Sequence, residues 1–431
     1  MKILFFVPTV IQSSIGRGQS LVVEQLITQG HDVVVVRAED LNFFDDSTHP
    51  FRNRIICWNN TNEVRQAAEQ SDLVIYHIGD NFQYHRGCLE WMTTLPGVVI
   101  IHDNFLGNLF WGWSERIGRQ TASTFLAKLY GAEVAHRFFD HADSASFISY
   151  ASQAAPMTEW MVGLASAVIV HSSWSMDKVR PGCPVPIKVA HLPYDAPYLG
   201  NLELVKQGSP NGHVNVLTVG HVNQNKRSAE VIKAIGASAA LRGSICYRIV
   251  GSVDTAMRRD LTFLADSLGV HIVITGSVDD ITLATEILNA DIMCCLRLPA
   301  LEGASGSTIE AMLYGKPTIV TNTGFYRDLP DDCVIKVSPE SEMADIQEAL
   351  VRLVTSPSER IALGSLARSY ASQTFRADLY AECVVDMKQR IDRSKLIADT
   401  ALIFSERLKQ WGMRGDHAIA QATAAPLALF R

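Results

Sequence analysis

Short runs of β-branched and apolar residues alternate with helical patterns along nearly the whole chain, in two sets of six. The first set is KILFFVP (2–8), DVVVVR (32–37), RIICW (54–58), LVIYHI (73–78), GVVIIHD (97–103) and AVIVHS (167–172). The second is VNVLTVG (214–220), ICYRIVG (245–251), HIVITG (271–276), DIMCCL (291–296), PTIVTN (317–322) and CVIKV (333–337). Continuous apolar strands joined by helix-length connections are buried on both faces, which means parallel sheets with helices on each side. The fold class is therefore α/β, with two doubly wound domains.

The length agrees with two domains. At 431 residues the chain exceeds the roughly 250–300 residues at which a single core stops growing, and two domains are expected to face a cleft. Residues 1–195 form the first, with a helical insert at about 104–165 that interrupts the strands and carries Trp111, Trp113 and Trp160. The stretch HLPYDAPYLGNLELVKQGSPNGH (191–213) is rich in Pro, Gly and Asn without periodicity, which puts the linker at 196–212. Residues 213–377 form the second domain, and 378–431 hold a terminal helix and a tail with Leu402, Ile403, Leu408 and Trp411. That tail would dock on the first domain or on a partner subunit of an oligomer; the sequence does not choose.

With 45 acidic and 38 basic residues, a net charge of −7 and no long basic run, the chain is unsuited to a nucleic-acid partner whose phosphates need neutralising. The N-terminus MKILFFVPTVIQSS reads as a strand, because Pro8 interrupts it and no small-residue cleavage site follows. No apolar stretch reaches the roughly 20 residues of a membrane helix, so a cytoplasmic protein is expected. Eight cysteines lie scattered without zinc spacing and are expected as free thiols. Asp-x-Asp, Walker and Gly-x-Ser-x-Gly motifs are all lacking, so phosphate binding without a metal and without a cofactor is expected.

Four stretches carry candidate chemistry. In LPALEGASGSTIEAMLYGKPTIV (298–320), Glu302 and Glu310 flank seven mostly small residues, among them Gly303, Ala304, Ser305, Gly306 and Ser307. Glu302 follows a strand's carboxyl end, where open α/β sheets bind ligands, and small residues with free helix N–H groups favour a phosphate or a polar hydroxyl. Ser307 and Glu310 also fit a capping box, so Glu310 is either a cap or a ligand carboxylate. In LTVGHVNQNKRSAEVIKAI (217–235) a strand ends at Gly220, and Lys226 and Arg227 open a helix, as a solvated start or as a diphosphate site. A cationic first turn opposes the helix dipole unless an anion is bound. The Gly16-Arg17-Gly18 stretch after the first strand lacks the third glycine of a dinucleotide fingerprint, and the second strand ends on Arg37 before any acid; it is a plain turn or a close approach for a ligand. Finally His102-Asp103 ends the GVVII strand, where His102 binds a sugar hydroxyl, shares a proton with Asp103 or is structural, and His171 precedes a stretch that reads as a helix cap.

Taken in order, the Gly16-Arg17-Gly18 loop, VVIIHDN, VGHVNQNKR and the Glu302/Glu310 pair resemble the retaining GT-B glycosyltransferases, in particular the GT4-type group that builds polysaccharides and glycolipids; the likeness covers roughly 1–395. The resemblance implies two Rossmann-like domains, with the terminal helix at about 378–395 crossing back to the first. It implies a nucleotide-sugar donor, mostly on the second domain, and a saccharide or lipid-linked acceptor. Lys226 then matches the diphosphate-binding lysine, Glu302 the carboxylate on the donor sugar and Glu310 the one on the ribose, while N–H groups of Ala304 to Ser307 face sugar and phosphate. His102 would sit near the reacting sugar. One position departs from the family: His221 follows Gly220 where arginine is common, leaving Lys226, Arg227 or another residue to carry more of the phosphate contact. Family analogy also implies retention of configuration without a protein nucleophile.

The aromatic stretch NFLGNLFWGWSERIGRQ (104–120) packs the first domain, lines a sugar pocket, or meets a membrane surface peripherally at the cytoplasmic face. Two rival activities share the architecture: a nucleotide-sugar 2-epimerase, and a non-catalytic nucleotide-sugar-binding module.

Overall fold

The computed structural model describes residues 1–199 and 212–412. The chain divides into two compact units, Met1–Pro193 with Ala377–Arg431, and Tyr194–Arg376. The linker expected at 196–212 falls mostly on residues outside the described ones, as does most of the tail.

The first unit is built on a seven-stranded parallel sheet of β1 (Lys2–Val7), β2 (Asp32–Arg37), β3 (Ile55–Cys57), β4 (Leu73–Ile78), β5 (Val98–Ile101), β6 (Ala167–Val170) and β7 (Ile187–Val189), in the order β3-β2-β1-β4-β5-β6-β7. Residues such as Phe5, Val35, Ile75, Ile100 and Ile169 are buried because helices cover both faces, which is why these strands read as unbroken apolar runs. Strand β7 adds a seventh to the six expected. It lies at the sheet edge, where the prolines of RPGCPVPIKV can precede it without breaking a central ladder.

The insert holds five helices: Gly107–Ile117, Arg119–Tyr130, Ala132–Arg137, Ser144–Ala154 and Thr158–Val162. Its aromatics face one another. Trp111 meets the Phe139 and Phe147 rings edge-on at 5.2 and 5.0 Å, and Trp113 lies 4.7 Å from Trp160. These rings are the insert's own core, so the packing alternative describes Trp111 and Trp113 better than a membrane-facing stripe. Among the described residues no helix is long and apolar enough to cross a membrane.

The terminal helix Ala377–Gln410 lies on the first unit, where Tyr380, Ala381, Val384 and Met387 join the cluster of Val22, Val23 and Leu26 from the helix Ser14–Thr28. Each large apolar side chain buried there contributes about 1.5–3 kcal/mol. Lys188 on β7 adds a 2.8 Å ion pair to Asp386. Further along, Ile403 and Trp411 are exposed.

The second unit holds a six-stranded parallel sheet of β8 (Val214–Val219), β9 (Ile245–Val250), β10 (Ile272–Gly276), β11 (Ile292–Cys295), β12 (Thr318–Thr321) and β13 (Ile335–Val337). Its order is β10-β9-β8-β11-β12-β13. Both sheets thus grow outward in opposite directions from their first strand, so each has one switch point: β1/β4 in the first unit and β8/β11 in the second. Ligands of doubly wound sheets bind in the crevice outside the strands' carboxyl ends at such points.

Candidate functional site

The loops after β8 and β11 meet at the second unit's switch point. Strand β8 runs into Gly220, whose φ of +99° suits glycine alone, and a Cβ there would lie 2.5 Å from the Lys226 Nζ. The following turn, Gln224–Lys226, is capped by the Asn223 side chain, which accepts from the Lys226 N–H at 3.3 Å. Lys226 therefore folds back over the bare strand end, 7% exposed, and its Nζ donates to the Val219 carbonyl. Burial first, and then the neighbouring Arg297 charge, push its pKa down to about 7, with Glu302 opposing.

Two residues beyond β11 stands Arg297, a residue the sequence reading passed over. It is 5% exposed. Its backbone N–H donates to Thr321 Oγ1 at 3.0 Å, its Nη1 to the Leu296 carbonyl at 2.7 Å and its Nε to Glu302 Oε1 at 2.9 Å. Two hydrogen bonds join the loops: Leu298 N–H donates to the Asn225 carbonyl at 2.9 Å, and Asn225 Nδ2 donates to the Pro299 carbonyl at 3.0 Å. Lys226 and Arg297 are thereby carried on one tied framework. Glu302 keeps a third of its side chain exposed, yet its Oε2 is buried without a hydrogen-bond partner. Two buried cations thus share one carboxylate. Buried charge left uncompensated is costly, so this group of side chains is chemically suited to an anion.

The following helix, Gly306–Leu313, begins two residues earlier than a capping box on Ser307 requires. Ser305 is the cap: its hydroxyl accepts from the Thr308 N–H at 3.4 Å and from Thr308 Oγ1 at 3.0 Å. Glu310 therefore sits in the second turn, beyond reach of the cap, and is buried. The capping reading of Glu310 is corrected accordingly. Gly303, Ala304 and Ser305 are buried, while Gly306 and Ser307 are half-buried. At Gly306 a Cβ would press within 2.9 Å of the Tyr194 ring.

One expected phosphate ligand, Arg227, is committed elsewhere. Arg227 donates through Nε to both carboxylate oxygens of Glu342 at 3.0 Å, so its fork ties the helix Ser228–Gly236 to the helix Glu342–Thr355 and the expected donor contact gives way. His221 is exposed and its Nδ1 lies 2.9 Å from Ser252 Oγ.

In the first unit Gly16 and Gly18 are not in a loop but in the first turns of the helix Ser14–Thr28, with Ser13 as its cap. A Cβ on Gly16 would collide with the Pro8 carbonyl and stand 2.9 Å from the His49 ring, and one on Gly18 would stand 3.0 Å from the Pro193 carbonyl. Their smallness answers to the unit's own backbone.

His102 is buried between two other histidines. His171 Nδ1 lies 2.9 Å from the Ala190 carbonyl, which can only accept; that assigns the proton to Nδ1 and leaves Nε2 to accept. His102 Nδ1 then donates to His171 Nε2 at 3.1 Å, and His77 Nδ1 donates to His102 Nε2 at 3.0 Å. His77 Nε2 ends the series buried and unpartnered. Burial, and after it the neighbouring histidines, hold His102 and His77 well below the ordinary imidazole pKa. Both ring nitrogens of His102 are thus occupied in this arrangement, which corrects the expectation of a ring open to a sugar. Asp103 turns instead to the Asp80 N–H, which donates to its Oδ2 at 2.7 Å.

Residues 202–370 match the family model described as Glycosyl transferases group 1. No curated protein matches the chain in sequence. Among solved structures, Anabaena HepE in complex with UDP and glucose is 14% identical with a TM-score of 0.58, covering 90% of this chain and 99% of its own. Sucrose-phosphate synthase from Thermosynechococcus elongatus is 15% identical with a TM-score of 0.60, covering 91% of this chain and 100% of its own. A glycosyltransferase from Rickettsia africae is 14% identical with a TM-score of 0.60, covering 90% and 98%. At these identities the likeness is one of fold, the two-domain GT-B arrangement.

Proposed function

We propose, from the match of residues 202–370 to the glycosyl transferases group 1 model, that the chain moves a hexose-type sugar from a nucleotide-sugar donor to a saccharide or lipid-linked acceptor. The observation that carries this reading is the meeting of Lys226 and Glu302 at the β8/β11 switch point, beside the N-terminus of the Gly306–Leu313 helix. A diphosphate there gains from the ammonium and from the helix N–H groups, and a sugar hydroxyl finds an acceptor in the unpartnered Glu302 Oε2. As the bond from anomeric carbon to phosphate breaks, the leaving diphosphate gains negative charge. A fixed cation that interacts more strongly with that charge than with the ground state lowers the barrier.

In this reading Glu310 serves the ribose, and the acceptor attacks on the leaving-group face while a phosphate oxygen takes its proton. Configuration is retained, and the cations in place make a metal unnecessary for charge neutralisation. The inward packing of Trp111 and Trp113 supports leaving membrane contact out of the proposal.

Incubation with a panel of UDP- and GDP-sugars, with release of UDP or GDP and NMR of the product anomer as readouts, tests it. Slow donor hydrolysis, or transfer with retained configuration, is expected. An inverted linkage sinks the mechanism, an isomerised donor turns the reading to an epimerase, and binding without turnover turns it to a binding module.

A further inference from the structure

We propose that Arg297 is the second cation of the donor site, contacting the diphosphate together with Lys226 and doing so from the β11 loop in place of His221 and Arg227 on the β8 loop. This inference rests on the donor reading above.

Three observations lead to it. First, the cations available from the β8 loop fall short. Arg227 is engaged with Glu342, and the exposed His221 ring rests its Nδ1 on Ser252, so of the loop's cations Lys226 is the one folded onto the strand end. A single amine that titrates near neutrality is a weak match for a diphosphate carrying two or more negative charges.

Second, Arg297 stands close enough to Lys226 that its charge is the largest influence on that amine after burial itself. Two cations held together away from water repel each other, and Glu302 offsets only one of them. Folding has nevertheless fixed them side by side, with Asn225 bonded to both Leu298 and Pro299 so that neither loop can drift from the other. An arrangement that is costly when empty and favourable when an anion arrives has the character of a binding site.

Third, the guanidinium is already oriented. Nη1 and Nε are spent on the Leu296 carbonyl and on Glu302, which fixes the plane and leaves Nη2 outside these bonds. Because Arg297 holds Glu302 Oε1 at the same time, one residue would set the carboxylate for the sugar and meet the phosphate.

The test is binding of UDP, GDP, ADP and inorganic pyrophosphate by calorimetry to the full chain and to four variants: Arg297→Gln, Arg297→Lys, Glu302→Gln and the double Arg297→Gln/Glu302→Gln. Circular dichroism and melting curves check folding, and the double variant removes both charges so that no carboxylate is left buried without its partner. Arg297→Gln is expected to weaken binding of pyrophosphate and of the preferred nucleoside diphosphate by roughly 10- to 100-fold. Glu302→Gln should leave both unchanged or tighter, because it removes a negative charge, and Arg297→Lys should recover part of the loss. If the double variant binds pyrophosphate as Glu302→Gln does, Arg297 only holds Glu302 and the inference is overturned while the donor site stands. If the unaltered protein binds none of the four probes, the donor reading itself falls.

Discussion

The two sheets share one strand order up to the extra edge strand of the first, yet their switch points are chemically opposite. In the first unit the acid near the end of β2 is answered by its neighbours. Glu39 accepts from the Thr9 N–H at 3.0 Å, from the Thr9 hydroxyl at 2.9 Å and from Arg37 Nε at 2.8 Å, and the remaining Arg37 nitrogens donate to the Phe43 and Phe44 carbonyls. The acid that a dinucleotide-binding fold would offer to a ribose is present near the end of β2, and it is fully used. In the second unit Lys226, Arg297 and Glu302 leave a surplus of positive charge and an oxygen without a partner. Topology supplies a place for a ligand in both units; a surplus of buried positive charge distinguishes the one suited to an anion.

The sharpest way to break this contrast is Glu302→Gln, which keeps the shape and removes the charge. Turnover should fall roughly 100- to 1000-fold while diphosphate affinity holds or rises, as calorimetry on the folded variant reads it. Unchanged turnover would make the Arg297–Glu302 pair an ordinary structural tie, and the two switch points alike.

A change of pH should move the two regions in different directions. Below pH 7 Lys226 is protonated and donor affinity is highest; as pH rises through about 7 the free amine loses its charge and affinity should fall, measured as diphosphate binding between pH 6 and 9. His85 and His171 titrate only near 4, and His77 and His102 are likewise depressed, whereas in the unfolded chain each takes a proton near 6.5. The unfolded state therefore binds more protons in acid, and the melting temperature should drop as pH falls from about 6.5 towards 4. A melting temperature flat across that range would mean that the histidines are not held neutral.

The smallest effect is expected from Arg227→Ala. Diphosphate affinity should change by on the order of twofold or less, while urea denaturation should show a loss of about 1–3 kcal/mol from the unpaired Glu342. A large drop in affinity instead would return Arg227 to the ligand.

Much of this was legible in the sequence, for identifiable reasons. Parallel strands buried on both faces announce themselves as apolar runs, and β7 escaped because its prolines read as loop. That Lys226 and Glu302 lie just after strands was readable from the sequence. Arg297 was not, although a lone cation in DIMCCLRLP at a strand's carboxyl end was signal enough to have asked what it faces. The capping box failed because two serines two residues apart compete for the helix start, and only the backbone decides that Ser305 wins. Gly16 and Gly18 misled because small size serves a helix pressed on its own unit's carbonyls as well as it serves a ligand. His77, in the middle of β4, reads as core, and its bond to His102 depends on pairing across the sheet.

The Ala190 carbonyl has a reach beyond its own hydrogen bond. It lies just past β7, whose register on β6 pairs Val170 with Val189. That one edge carbonyl acts as the terminus of a polarised line: by demanding a hydrogen from His171 it dictates which nitrogen of each successive ring is basic, through to His77. A slip of the edge strand by one residue would offer His171 a different partner, and the whole line would be free to reverse its sense. The least central strand of the sheet thus keeps the protonation pattern of its most deeply buried side chains.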